Sequence, residues 1–292
     1  MKSARTRADR KVALLLGGVI FTIFGWSSSA SAAENVDLKL VLATDASGSI
    51  NNDEFRLERE GTAAAFLDPE VIKAIRSGAL GRIAVSMLDF SSPGFGKAVI
   101  DWRIIQDEAS AAAFSQAVRD APRTFGRRTS VSNALELGSA LIAASEGDII
   151  ATRKVIDVAG DGANNDGNPM QEVHDRVIAQ GIVINGLPVM DESANGYYPN
   201  LDKYYQACVV GGRGAFVIVV RSFKDFLPAM RRKLILEISE DKAQIKQALR
   251  DSSDDGLLRL IQDAPAQPPQ LLRPGTNDYT NNCDVGGSFN FR

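Results

Sequence analysis

Five oxygen-bearing side chains stand where a cation could be held. Asp45-Ala46-Ser47-Gly48-Ser49 closes one apolar run, Thr129 follows Arg127-Arg128 ahead of a helical stretch, and Asp161-Gly162 closes another apolar run. In an extended turn Asp45, Ser47 and Ser49 alternate and can point to one side, offering one carboxylate and two hydroxyls. Thr129 would add a third hydroxyl and Asp161 a second carboxylate. Such hard oxygen donors suit Mg²⁺, or Mn²⁺ or Ca²⁺. No His or Cys stands among them, which disfavours zinc and copper. The same Asp and Ser residues would also serve as a polar turn capping the next helix. Convergence of all five is what separates a metal site from a turn.

Other chemistries lack their residues. His174, the only histidine, falls in a helical stretch beside acidic residues, so no Ser-His-Asp constellation is available, and no G-x-S-x-G elbow occurs. No G-x-x-x-x-G-K-[ST] phosphate loop is present; Gly211-Gly212-Arg213-Gly214 precedes a strand, where a dinucleotide site needs a helix. Asp161 to Asp166 fails the spacing of a calcium-binding EF loop. A metal-assisted hydrolase is the rival reading, and a domain that keeps its shape but has lost metal binding is a third. The hydrolase would need a base or nucleophile beside the cation, and Ser47 or Ser49, bound to metal without an activating base, is a weak nucleophile.

The elements that must position these groups alternate. Apolar runs at Leu38–Thr44, Arg82–Phe90, Lys97–Ile105, Lys154–Ala159, Ile182–Leu187 and Ala215–Val220 read as six strands. Helical stretches begin near Asn52 or Asp53, at Pro69, Glu108, Val131 and Pro169, and a last helix runs from Ser222 with a kink expected at Pro228. Strands apolar on both faces and separated by helices predict a Rossmann-like, doubly wound α/β fold with helices on both faces of a mainly parallel six-stranded sheet. The short turn Ser92-Pro93-Gly94 makes the third strand an antiparallel edge. In such sheets ligands sit beyond the carboxyl ends of the strands, where Asp45 and Asp161 fall.

The ends differ from this middle. A basic start, an apolar stretch from Val12 to Gly25 and the small-residue run Ala30-Ser31-Ala32 give residues 1–32 the layout of a secretory signal cleaved after Ala32. No later segment is apolar enough to span a bilayer. Beyond Ser239 lies an extension, 239–292, with helical stretches expected at Asp241–Arg250 and Leu257–Gln262 and then a run of prolines. Export would favour a disulfide between the two cysteines, Cys208 and Cys283. The net charge of −3 becomes more negative without the basic leader, and no basic stripe remains, so nucleic acid is not an expected partner. Tyr197 and Tyr198, in a polar segment after the fifth strand, are candidate contact aromatics.

The ordered set D-x-S-x-S, a Thr opening a helix, then D-G after a later strand resembles the metal-ion-dependent adhesion site of von Willebrand factor A domains. The wording VIDVAGDGANN, INGLPV and RRKLILEI is similar to a group of secreted bacterial proteins with such domains. The resemblance covers residues 36–238. It implies that Ser47 and Ser49 bind the metal directly, Asp45 and Asp161 through water, and Thr129 directly when a ligand is engaged. It also implies no catalysis, and a protein partner whose Asp or Glu carboxylate fills an open coordination position. Two positions depart from the pattern. Gly160 stands where a hydroxyl residue is usual, with Asp157 as an alternative carboxylate, and Arg127-Arg128 stand where small glycines are common. Two arginines there would strengthen the field that draws in an acidic partner.

Overall fold

The computed structural model describes residues 32–193, 198–239, 258–260 and 283–284. The leader before Ala32, the helix expected at Asp241–Arg250, the proline run and Tyr197 lie outside the described residues. Strand β1 (Glu34–Asp45) runs through the middle of the sheet, and from Val36 onward every one of its residues is buried. Helices α1 (Asn52–Phe66) and α2 (Pro69–Arg76) lead to β2 (Ile83–Phe90), which pairs parallel to β1. The hairpin to β3 (Lys97–Ile105) makes the expected antiparallel edge. After α3 (Glu108–Asp120) and α4 (Val131–Ala144), β4 (Ile149–Gly160) pairs parallel to the other side of β1. Next come α5 (Met170–Ile178), β5 (Val183–Pro188), α6 (Leu201–Tyr204), β6 (Phe216–Ile218) and α7 (Phe226–Ile238).

The sheet order is β3-β2-β1-β4-β5-β6-β7, so the six expected strands are joined by a seventh, β7 (Leu258–Leu260). A short helix was the sequence expectation there. The strand forms instead because β6 would otherwise present an open row of main-chain groups at the edge, and β7 pairs antiparallel with it. Local pattern yields to that tertiary demand.

Caps set the helix starts. Asn51, one residue ahead of the expected position, accepts from the backbone N–H groups of Asp53 and Glu54, while the Glu54 side chain accepts from the Asn51 N–H. Asp68 caps α2, and Pro69 sits in its first turn, where the missing N–H has no intrahelical partner. The same reasoning removes the expected kink at Pro228. A 3-10 turn (Phe223–Asp225) precedes α7, which leaves Pro228 in the first turn of the α-helix.

Side chains alternate across β1. Leu38, Leu40 and Leu42 join Phe66, Val71, Phe114, Phe226 and Met230 on one face, beneath α1, α2, α3 and α7. Val41 and Ala43 join Leu135, Ile156, Met170 and Val173 on the other, beneath α4 and α5. Fully burying one such Leu, Ile or Phe contributes about 1.5–3 kcal/mol. The chain runs from β1 outward to β2 on one side and later from β4 outward to β5 on the other. The reversal lies between β1 and β4, and loops leaving the two strands part there to open a crevice.

Candidate metal centre

Asp45 ends β1 and Asp161 follows the last residue of β4, so the reversal point itself delivers both carboxylates. The turn after β1 folds back on Asp45, whose Oδ1 accepts from the Ser47 N–H at 2.7 Å. A chain of oxygens follows. Thr129 Oγ1 stands 3.2 Å from Ser47 Oγ, Ser47 Oγ 3.0 Å from Ser49 Oγ, and Ser49 Oγ donates to Asp161 Oδ1 at 2.7 Å. The structure therefore brings all five expected residues together from three separate stretches of sequence. Asp157, the alternative carboxylate, is not among them; it is buried along β4 and pairs with Lys233 of α7.

Thr129 reaches Ser47 because two loops are clasped. The Thr129 N–H donates to Asn165 Oδ1 and the Asn165 N–H to the Thr129 carbonyl, at 3.1 and 2.9 Å. Asn164 Oδ1 accepts from the Ser132 N–H in the first turn of α4. Gly162 permits the contact, since a Cβ there would stand 2.9 Å from Thr129 Oγ1. Beneath the loop that leads to Thr129, the buried Asp89 carboxylate accepts from Thr44 Oγ1, from the Arg59 guanidinium and from both N–H and hydroxyl of Thr124. Asp89, Asn164 and Asn165 were not singled out in the sequence. The Asn pair one residue past Asp161-Gly162 was the available signal.

Charge is unbalanced here. Asp45 is fully buried and Asp161 nearly so, and among the described residues neither takes part in an ion pair. Asp45 Oδ2 and Asp161 Oδ2 are both buried without a hydrogen-bond partner. Burial, then the charge of Asp161, pushes the Asp45 carboxyl up to about 8. Burial pushes Asp161 up to about 6. Glu58 of α1, buried close by, is held well above the usual carboxylate range by its burial. The hydroxyl of Tyr205 is also buried and unpartnered, and burial followed by the charge of Asp45 raises its phenol. Tyr205 was not singled out either. A deficit of positive charge beside a row of hydroxyls is the arrangement that could hold a hard dication. Among the described residues no group of three or more His, Cys, Asp or Glu could do so, because here the donors beyond the two carboxylates are hydroxyls.

The rim carries exposed Arg127 and Arg128, the latter donating to the Asn165 carbonyl at 3.3 Å. Phe95 and Phe125, 59% and 61% exposed, stand on the loops after β2 and before Thr129. Tyr198 is half-buried against the core rather than presented to solvent. His174 contacts the Val210 carbonyl and Asp175, away from the five residues.

The sheet order, the edge strand and the oxygen set at the reversal point define a von Willebrand factor A-like fold. Residues 35–242 match the model of a family described as protein of unknown function (DUF1194), and the chain belongs to that family. Comparison with curated proteins gives no match. Among solved structures, proximal thread matrix protein 1 from the mussel byssus is similar at a TM-score of 0.53 and 14% identity, over 70% of this chain and 48% of that one. A second structure of that protein, with a zinc-occupied MIDAS motif, gives 0.50 and 16% over the same shares. A von Willebrand factor type A protein from Catenulispora acidiphila gives 0.48 and 14%, over 70% and 43%. The match therefore spans about half the length of these structures, and at such identities the likeness is one of fold. No described helix is long and apolar enough to cross a membrane.

Proposed function

We propose that this chain is an exported protein-binding domain that depends on a divalent cation, Mg²⁺ or else Mn²⁺ or Ca²⁺, and catalyses nothing. Asp45, Ser47, Ser49, Thr129 and Asp161 would hold the cation, and a protein partner would supply an Asp or Glu carboxylate. The observation that carries this reading is the pair of buried carboxylates, each with an unpartnered oxygen and, among the described residues, in no ion pair, next to three linked hydroxyls. A cation bound largely by neutral hydroxyls keeps charge to offer an anionic group. Arg127 and Arg128 add positive potential at the rim, and Phe95 and Phe125 offer apolar contact beside it. Of the relatives, the mussel protein is described with zinc in its MIDAS motif. Export is supported by the layout of residues 1–32 and by a disulfide, which persists in oxidising compartments.

Calorimetry and thermal melting with MgCl₂ test the site. Wild type is expected to take up one Mg²⁺ and, at 100 times Kd, to gain about 2.7 kcal/mol, a rise of roughly 5–10 °C in Tm. The Asp45→Ala/Ser47→Ala variant is expected to fold and to lose that rise. A rise equal to wild type in the variant would refute the assignment.

A further inference from the structure

Buried tyrosine hydroxyls ordinarily find a partner, as Tyr204 does: its oxygen accepts from the Asn164 N–H at 3.0 Å and donates to the Cys283 carbonyl at 2.8 Å. Its neighbour Tyr205 is fully buried and its hydroxyl has none. Asp45 Oδ2 is likewise buried without a partner. A Cβ built on Gly160 would stand 3.0 Å from Asp45 Oδ2 and 3.3 Å from the Tyr205 hydroxyl, so both atoms border one small space, kept open because residue 160 has no side chain. The chemistry of the two is complementary. A neutral phenol donates one hydrogen, and an ionised carboxylate only accepts.

The backbone aims the phenol at this space. Tyr205 begins a π-helical turn, Tyr205–Val209, closed by the Val210 N–H donating to the Tyr205 carbonyl at 3.0 Å. The extra residue of such a turn resets the direction of the side chains around it. Consecutive tyrosines, which an α-helix would fan apart, here both reach the end of β4 and the loop after it: Tyr204 at Asn164 and Tyr205 at Gly160. The Tyr205 ring is held by close packing on β5, its Cδ1 lying 2.6 Å from where a Cβ on Gly186 would be.

We infer that the Tyr205 hydroxyl is a positioning group of the cation site: neither it nor Asp45 Oδ2 has a partner as the structure stands, and it donates to that oxygen, across the space beside Gly160, once a cation holds the carboxylate ionised. Asp45 Oδ1 is already engaged by the Ser47 N–H, so the phenol fixes the second oxygen and with it the orientation of the whole carboxylate. Hydrogen-bond partners of this kind are what hold acidic groups in register with a metal. The inference rests on the reading of Asp45, Ser47, Ser49, Thr129 and Asp161 as a cation site.

The test is Mg²⁺ and Mn²⁺ binding by calorimetry, with metal-free melting recorded alongside, for wild type, Tyr205→Phe, and Tyr205→Phe combined with Gly160→Ser. The Phe variant keeps the ring and removes only the hydroxyl. The expected result is a ten- to hundredfold weaker affinity with the metal-free Tm unmoved. In the double variant the Cβ that Gly160→Ser introduces stands 3.0 Å from both Cβ and Oδ2 of Asp45, which give by a few tenths of an ångström, the new hydroxyl takes the place of the phenol's, and affinity returns toward wild type. Unchanged affinity in Tyr205→Phe overturns this inference alone and leaves the cation site standing. Weaker affinity with a lowered metal-free Tm, not recovered in the double variant, marks a packing role and also overturns it; recovery supports it. If wild type takes up neither metal, the reading of the site falls and this inference with it.

Discussion

Asp45 and Asp161 are two acids that folding places in poor surroundings, and the consequence can be followed with pH. A carboxyl whose pKa rises on folding holds its proton more tightly in the native chain than in the unfolded one. Its contribution to stability is fully present below the unfolded value near 4 and is lost as pH rises through the native value. For Asp45, raised to about 8, and Asp161, raised to about 6, the window runs from about pH 4 to about pH 8. The metal-free protein is therefore expected to lose stability steadily across that range. A bound cation requires ionised carboxylates, so uptake releases protons and is favoured by rising pH. The Mg²⁺-induced rise in Tm is expected to be larger at pH 8 than at pH 5.5, and melting at both values checks it; equal rises would sink the expectation. All five side chains of the candidate site were legible in the sequence, because each sits at or just past the end of an apolar run or at the start of a helix, where position follows from pattern. Tyr205 was not. Its role depends on the π turn and on a missing side chain at residue 160, and neither leaves a periodic trace. Tyr197 and Tyr198 are adjacent in a polar segment, which marks them as contact aromatics in the sequence, but Tyr198 packs on its own domain.

At the scale of elements, the site is a meeting of loops whose spacing the strands dictate. β1 and β4 run side by side with Thr44 opposite Ala159, so Asp45 and Asp161 leave the sheet within a residue or two of the same level. The third contributor, Thr129, comes from the loop before α4, and its arrival depends on how closely the loop after β4 can approach. Gly162 sets that limit. Gly162→Ala would push a methyl against Thr129 Oγ1, a 2.9 Å approach to a β-branched residue whose backbone is already fastened to Asn165. The expected outcome is a fold that survives with cation affinity lower by about tenfold, of the size seen when groups supporting a metal are disturbed. Titration with Mn²⁺ measures it, and affinity equal to wild type would show that Thr129 is dispensable in the resting state. Strand and helix order were readable from hydrophobic period and caps, but two strands begin well ahead of their apolar runs, β1 at Glu34 rather than Leu38 and β4 at Ile149 rather than Lys154. What was not readable was β7, since an isolated Leu-Arg-Leu has no preference that survives without β6 beside it.

The whole molecule joins its distant end to this edge. Cys208, in the same π turn as Tyr205, is disulfide-bonded to Cys283, closing a separation of 75 residues. The bond brings Asp284 to α5, a helix without a cap of its own. Asp284 Oδ1 accepts from the Met170 N–H at 3.0 Å and from Asn164 Nδ2 at 2.9 Å. A residue beyond the span shared with the family thus caps a helix in that span and steadies the asparagine whose other end holds α4. Two contributions follow and can be separated. The cross-link is worth about 4 kcal/mol in the chain-entropy model for a loop of this length. The cap is worth about 1 kcal/mol. Replacing both cysteines by Ser is therefore expected to lower Tm by on the order of 10 °C, while Asp284→Ala with the disulfide intact lowers it by only a few degrees. Because the cysteine variant frees the cap as well, adding Asp284→Ala to it should cost little more. That non-additivity is the diagnostic. If the two losses simply summed in the triple variant, Asp284 would hold α5 without help from the disulfide, and the extension would be fastened by its own contacts rather than by the cross-link.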